Sequence, residues 1–249
     1  MKHIKHYKVF EAWKSALTPE QIEWLDGCTT GNWDLNLRTG EVDLFHGDFD
    51  CSEQDLSDFK GVRFGVVEGR FDCSGNLLTS LEGAPRKVGG SFECDNNRLT
   101  SLVGAPREIG GTFSCHNNRL TSLVGAPEKV RGTFDCRVNQ LTSLEGAPRE
   151  VGGNFACENN LLTSLVGAPR KVGWGFFCSN NPVSDETLRS IFSHMKGGES
   201  YMEAVESLWP KIPLGDKALL YRPEFKWVGA EEIKKLQAVG RFNKIKGIL

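Results

Sequence analysis

The stretch FECDNNRLTSLVGAPREIGG, residues 92–111, returns almost unchanged at an interval of 21 residues. Related copies begin at Phe71, Phe113, Phe134, Phe155 and Phe176. A fixed period in the twenties is the signature of a solenoid, in which each unit buries its apolar face against its neighbours. The sequence therefore predicts one elongated stack of repeats with an additional segment at either end.

Each repeat begins with residues that are typical of a short strand. Phe92 and Cys94 alternate with polar residues, so both side chains lie on one buried face. Asn97 takes the following turn, and Leu99 and Leu102 point back into the core. The Gly-Ala-Pro that follows breaks any helix, so we expect the opposite, convex side to be extended or a tight turn. One short parallel strand per repeat then forms a parallel sheet on one side of the stack.

Two residue types recur in register and predict ladders through the core. The asparagines satisfy backbone groups at the bend, at Asn76, Asn97, Asn118, Asn139, Asn160 and Asn181. Seven of the eight cysteines follow a phenylalanine by two residues, at Cys51, Cys73, Cys94, Cys115, Cys136, Cys157 and Cys178. We interpret these as buried free thiols, because parallel Cβ directions suit a disulfide poorly and no Cys-x-x-Cys motif is present. Disulfides and a metal site are the alternatives.

The repeated FxCxxNxLTSLxGAPxxVGG resembles the leucine-rich repeats of many bacterial and bacteriophage proteins. It is also similar in spacing to repeats of effectors injected by enterobacterial pathogens. The resemblance covers about residues 45–183 and implies a leucine-rich repeat solenoid that binds a protein partner. The chain lacks the LPxLP signature of those effectors and has no cysteine after Cys178. The ubiquitin-ligase activity of some of them, which needs a C-terminal catalytic cysteine, is therefore not expected.

The segment before the regular repeats, residues 1–44, is expected to form a cap. A capping box with proline at the first helical position begins at Thr18 and predicts a helix to about Asp26. Alternating residues from Trp33 to Leu44 predict strands. Residues 45–66 are interpreted as a degenerate first repeat, with 45–183 as the whole solenoid.

After the repeats, residues 184–249 are predicted to form a helical subdomain that caps the last repeat. Helices are expected after Ser184, around 200–208 and from Ala230 to Val239. This segment either packs on the solenoid as a small subdomain or contributes to a binding surface.

Composition narrows the classes of function. The chain has 249 residues, a net charge of -2 and no clustered basic patch, so nucleic acid and membrane partners are not expected. It has no long apolar run and no secretory signal at its start, which predicts a soluble, cytoplasmic protein. The five histidines fall in no catalytic motif, so we expect neither an enzyme nor a cofactor.

Positions that depart from the repeat mark the candidate binding surface. The strand residues that face away from the core vary most, and towards the C-terminal end they become charged and aromatic. Arginine and aromatic residues are typical of interface hot spots. The candidate partner-binding residues are His116, Asp135, Arg137, Glu158, Trp174 and Phe177. A small-molecule or nucleotide-binding protein is the alternative function, and drift of exposed positions is the alternative explanation of the variation.

Overall fold

The computed structural model describes residues 16–163, 165, 167–182, 210, 214, 217 and 228–245. Its first elements are helix α1 (Pro19–Cys28) and an antiparallel hairpin of β1 (Asn32–Asn36) and β2 (Glu41–Phe45). Thr18 caps α1 by accepting a hydrogen bond from the Gln21 amide, and the Gln21 side chain accepts one from the Thr18 amide. The predicted helix and strands before the repeats are confirmed.

Two sheets run along the solenoid, and each repeat contributes one strand to each sheet. The sheet that carries the phenylalanines, here the Phe sheet, is parallel and consists of β3 (Phe49–Asp50), β5 (Phe71–Asp72), β7 (Phe92–Glu93), β9 (Phe113–Ser114), β11 (Phe134–Asp135), β13 (Phe155–Ala156) and β15 (Phe176–Phe177). The second, here the Val sheet, continues from β1 and β2 through β4 (Phe64–Val67), β6 (Lys87–Val88), β8 (Glu108–Ile109), β10 (Lys129–Val130), β12 (Glu150–Val151) and β14 (Lys171–Val172). The parallel β-solenoid is thus confirmed.

The strands of the Val sheet within the repeats differ from the prediction, which expected an extended segment or a tight turn there and a single strand in each repeat. The strands from β6 to β14 have two residues each, with one side chain outside and one inside, as in exposed Lys87 and buried Val88. Strands of two residues are too short to show an alternating pattern. The 21-residue period nevertheless places them in register with their copies in neighbouring repeats, so they pair.

Phenylalanine rings and cysteine thiols form parallel columns in the core. Consecutive rings from Phe71 to Phe176 stack with centroids 5.0–5.6 Å apart. All eight cysteines are free and buried, which confirms the interpretation as core thiols. The Cys94 Sγ donates to the Ser114 carbonyl of the next repeat at 3.3 Å, and this contact recurs along the column.

The asparagine ladder is confirmed and connects each repeat with the one before it. The Asn118 Oδ1 accepts a hydrogen bond from the Leu99 amide, while its Nδ2 donates to the carbonyls of Cys94 and Cys115. The same bonds recur at the aligned asparagines, for example at Asn139. Buried backbone groups left unpaired by the turn are satisfied in this way.

Glycine pairs allow the two sheets of one repeat to meet at a tight corner. A Cβ on Gly110 would lie 1.9 Å from the Gly89 carbonyl oxygen, and one on Gly111 would lie 2.9 Å from the Gly90 carbonyl carbon. Backbones of neighbouring repeats therefore stack so closely at these glycines that a side chain requires a local shift, and Arg131 and Trp174 occupy the equivalent positions in other repeats.

Outer residues of the Val sheet alternate in charge from one repeat to the next. The Lys87 ammonium lies 2.8 Å from the Glu108 carboxylate, and the Lys129 ammonium lies 2.5 Å from the Glu150 carboxylate. Because opposite charges face each other across neighbouring strands, this surface is largely neutralised by its own pairs.

The helix predicted from Ala230 is confirmed as α2 (Ala230–Ile245). Val228, just before this helix, and Leu236, within it, are both buried. The helices predicted after Ser184 and around 200–208 lie outside the described residues. Among those described, no helix combines the length and hydrophobicity that crossing a membrane requires.

Candidate protein-interaction surface

The candidate surface is the outer side of the Phe sheet, which we call the strand face. It consists of the residues immediately before and after each phenylalanine and of those after each cysteine, together with Trp174, which borders them at the glycine corner. Strand pairing places equivalent residues side by side, as in Asp135, Ala156 and Phe177. Several of these residues are buried, including Asp72, Ser114 and Asp135, so their side chains position their neighbours more than they offer contact area.

At the N-terminal end of the strand face, Arg70 forms a compact charge cluster. Its guanidinium contacts both Asp72 and Glu93, and the Nε to Glu93 Oε1 distance is 3.0 Å. These hydrogen bonds, led by the one to Glu93, raise the pKa of Arg70. The cluster orders the face but leaves its arginine occupied.

In the middle of the face, His116 lies among polar side chains. Its Nδ1 is 3.0 Å from the Ser114 Oγ and 3.7 Å from Asp135 Oδ2, while its Nε2 is 3.7 Å from Asp95 Oδ2. Serine, histidine and aspartate are the residue types of a hydrolytic triad. However, the 3.7 Å separations exceed hydrogen-bond length. The Phe113 and Cys115 amides beside the serine are both engaged in the sheet and offer no oxyanion donor.

Arg137 is held by Asp135, which is also one of the candidate residues. The Arg137 Nε lies 2.9 Å from Asp135 Oδ1 and its Nη2 lies 2.6 Å from Asp135 Oδ2, a two-point contact. Hydrogen bonding to Asp135 raises the pKa of Arg137. Such bidentate pairs fix a guanidinium in a single orientation, so Arg137 is presented rigidly on the face.

Glu158 occupies the same position one strand further on. It is half-buried, and its Oε2 is buried without a hydrogen bond from any described residue. The next residue in this row is the exposed Ser179. His116, Arg137 and Glu158, which each follow a cysteine, thus form a polar row across three neighbouring repeats. Asp135 lies beside this row and binds Arg137.

Trp174 and Phe177 lie at the other edge of the face, beside the glycine corner. Trp174 takes the position of the second corner glycine and is 71% exposed. The hydrogen bond that its amide donates to the Gly153 carbonyl is 3.1 Å long. The equivalent hydrogen bond, from the Gly153 amide to the Gly132 carbonyl, is 2.9 Å long. Phe177 is 47% exposed, and its ring lies over Gly175, where a Cβ would approach it to 2.8 Å. The two aromatic residues are therefore neighbours on either side of Gly175, separate from the polar row.

Val138 is a residue of this region that the sequence analysis missed. It adopts a left-handed conformation with φ 53°, as do Asn96, Asn117, Asn159 and Asn180 at the equivalent positions. Asparagine tolerates this conformation, whereas a β-branched residue is strained there. Side chains of the asparagines also bond to each other across repeats, from Asn117 to Asn96 and from Asn180 to Asn159. Val138 interrupts that outer ladder directly beside Arg137, a signal available from comparison of the repeats.

Comparison of the chain with protein-family models, curated proteins and solved structures finds no match.

Proposed function

We propose that the protein is a non-enzymatic scaffold that binds a protein partner through the C-terminal part of its strand face. Exposed aromatic residues and a rigidly held arginine, both present on this face, are residue types that interface hot spots favour. The observation that carries the proposal is the placement of Trp174 and Phe177. Both project into solvent from positions where the other repeats have glycine or a small or acidic residue.

The local structure departs from the repeat at two positions that border this surface. Trp174 replaces a corner glycine, and Val138 accepts a strained backbone beside Arg137. Residues that break the local rules without a gain in stability are typical of functional sites. A requirement for binding accounts for their presence better than a requirement for folding.

The resemblance of the repeats to bacterial and bacteriophage leucine-rich repeats extends the proposal. A compact repeat protein of that kind is suited to block or sequester a host protein, because its rigid face needs no ordering on binding.

A capture experiment with matched variants tests the proposal. The tagged protein is used to recover stoichiometric partners from lysate, identified by mass spectrometry. The double variant Trp174→Ala, Phe177→Ala should lose the partner. The control Val103→Ala, Val124→Ala also removes two exposed apolar side chains, but outside the strand face, and should retain it. Equal recovery by both double variants would contradict the proposal.

A further inference from the structure

The strand face is strongly acidic compared with the chain as a whole. It carries two guanidinium groups, Arg70 and Arg137, against seven carboxylates, at Asp48, Asp50, Asp72, Glu93, Asp95, Asp135 and Glu158. The whole chain has a net charge of only -2. Surfaces of one sign attract and orient partners of the opposite sign. The charge of this face therefore favours a cationic partner.

Both arginines of the face are already engaged. Arg70 is bound by Asp72 and Glu93, and Arg137 is bound at two points by Asp135. Their charges also act on neighbouring carboxylates, that of Arg70 on Asp50 and that of Arg137 on Glu158. With seven carboxylates against two guanidinium groups, the face nevertheless presents an excess of negative charge to an incoming cation.

Glu158 is the carboxylate best placed to receive a cation near the aromatic residues. Its Oε2 is removed from solvent and receives no hydrogen bond within the described structure. A carboxylate that is already desolvated gains more from an incoming donor than a hydrated one, because part of the desolvation cost lies in the folded state. The next residue of the row among those described is the uncharged Ser179.

The aromatic pair lies within reach of the same bound segment. Ala156 pairs with Phe177, and Glu158 is two residues beyond Ala156, so the Cα atoms of Phe177 and Glu158 are about 8 Å apart. The Phe177 ring extends further from Glu158, because it lies over Gly175. Side chains two to four residues apart in an extended chain span roughly 7–13 Å.

We infer that this surface binds a short cationic polypeptide segment, with a lysine or arginine on Glu158 and an apolar side chain on Trp174 and Phe177. The inference rests on the proposed function and specifies the chemistry of its partner. Binding adds contacts to the accessible part of the half-buried Glu158 side chain and to the exposed rings of Trp174 and Phe177.

Selection from a displayed library of random 12-residue peptides tests the inference on the intact chain. Peptides selected on the unaltered protein should be enriched in lysine or arginine two to four residues from an aromatic or aliphatic residue. Their affinity should fall at least tenfold for Glu158→Gln. Glu108→Gln, which removes one carboxylate from the Val sheet, should leave affinity unchanged. Melting temperatures of the variants establish that each is folded.

The outcomes separate the two proposals. Peptides that are neutral or acidic, or that bind Glu158→Gln as tightly as the unaltered protein, would overturn the cationic segment but leave the surface intact. Peptides that bind Trp174→Ala, Phe177→Ala at full affinity would overturn the proposed surface itself. Failure to enrich any peptide, or concentration-dependent self-association in sedimentation equilibrium that Glu158→Gln abolishes, would also overturn the short cationic segment as the occupant.

Discussion

Alkaline pH is expected to unfold the solenoid through its column of buried thiols. Burial raises the pKa of six of them, namely Cys51, Cys73, Cys94, Cys115, Cys136 and Cys157. In the unfolded chain a thiol has a pKa of about 8.5. Above that pH the unfolded state binds fewer protons than the folded state, so the free energy of unfolding falls as pH rises.

The magnitude follows from the number of thiols. While the folded state holds its protons, each thiol favours unfolding by roughly 0.5–1 kcal/mol at pH 9 and about 1.5–2 kcal/mol at pH 10. Six thiols acting together amount to roughly 10 kcal/mol at pH 10. That is comparable with the whole stability of a typical domain, about 5–15 kcal/mol. We therefore expect a steep loss of stability between pH 8.5 and 10, and little change below pH 8 from this column.

Urea denaturation at pH 7, 8, 9 and 10 in the presence of a reductant measures the effect. Cys115→Ala is the matched variant, because the cavity it opens lowers stability equally at every pH. Its loss of stability from pH 7 to pH 10 should be smaller than that of the unaltered protein by about 1.5–2 kcal/mol. A pH dependence that Cys115→Ala leaves unaltered, or a total loss below about 2 kcal/mol, would refute the reasoning.

Three further predictions concern the backbone and the asparagine ladder. Val138→Asn should raise the free energy of unfolding, measured by urea denaturation, by about 1–2 kcal/mol, because it relieves a strained left-handed valine. Asn117→Val should lower the free energy of unfolding by a similar amount. Equal stabilities of the variants and the unaltered protein would contradict this. Gly110→Ala should lower the free energy of unfolding by about 3 kcal/mol or more, since its Cβ meets a carbonyl oxygen at 1.9 Å. Gly27→Ala in α1 has open space for its Cβ and should raise the free energy of unfolding by about 0.5–1 kcal/mol. Thermal unfolding measures both effects. Asn118→Ala should cost about 3 kcal/mol, because buried amide and carbonyl groups in two repeats lose their partner; a loss below about 1 kcal/mol would show that the ladder is not a main source of stability.

The sequence was sufficient to predict the parts of the repeat that show an alternating apolar pattern, but not the two-residue strands near the corner. Phe92, Cys94 and Asn97 each recur with a spacing that only a stack of repeats satisfies, so the Phe sheet and both core ladders could be predicted. Val88 is the single apolar residue between Pro85 and the following glycine pair, so no alternating pattern marks its strand. Its pairing with the next repeat depends on the register that the stack imposes. The strands of the Val sheet within the repeats could therefore be identified only from the structure.

The candidate surface shows the same division. Arg137 and Phe177 could be selected because they break the repeat. That Arg137 is held by Asp135, and that the Phe177 ring lies over Gly175, depends on side-chain torsions that no repeat pattern specifies. Val138 could have been identified from the sequence, but its strain is evident only from its backbone angle.

The most direct test of the central claim is the dissociation constant of the captured partner, measured by calorimetry against purified variants. The variant with alanine at Arg137, Glu158, Trp174 and Phe177 should bind at least tenfold more weakly than the unaltered protein at a temperature where its melting curve shows that it is folded. The variant Val103→Ala, Val124→Ala should bind with unchanged affinity. Unchanged affinity of the fourfold variant would contradict the assignment of binding to the strand face.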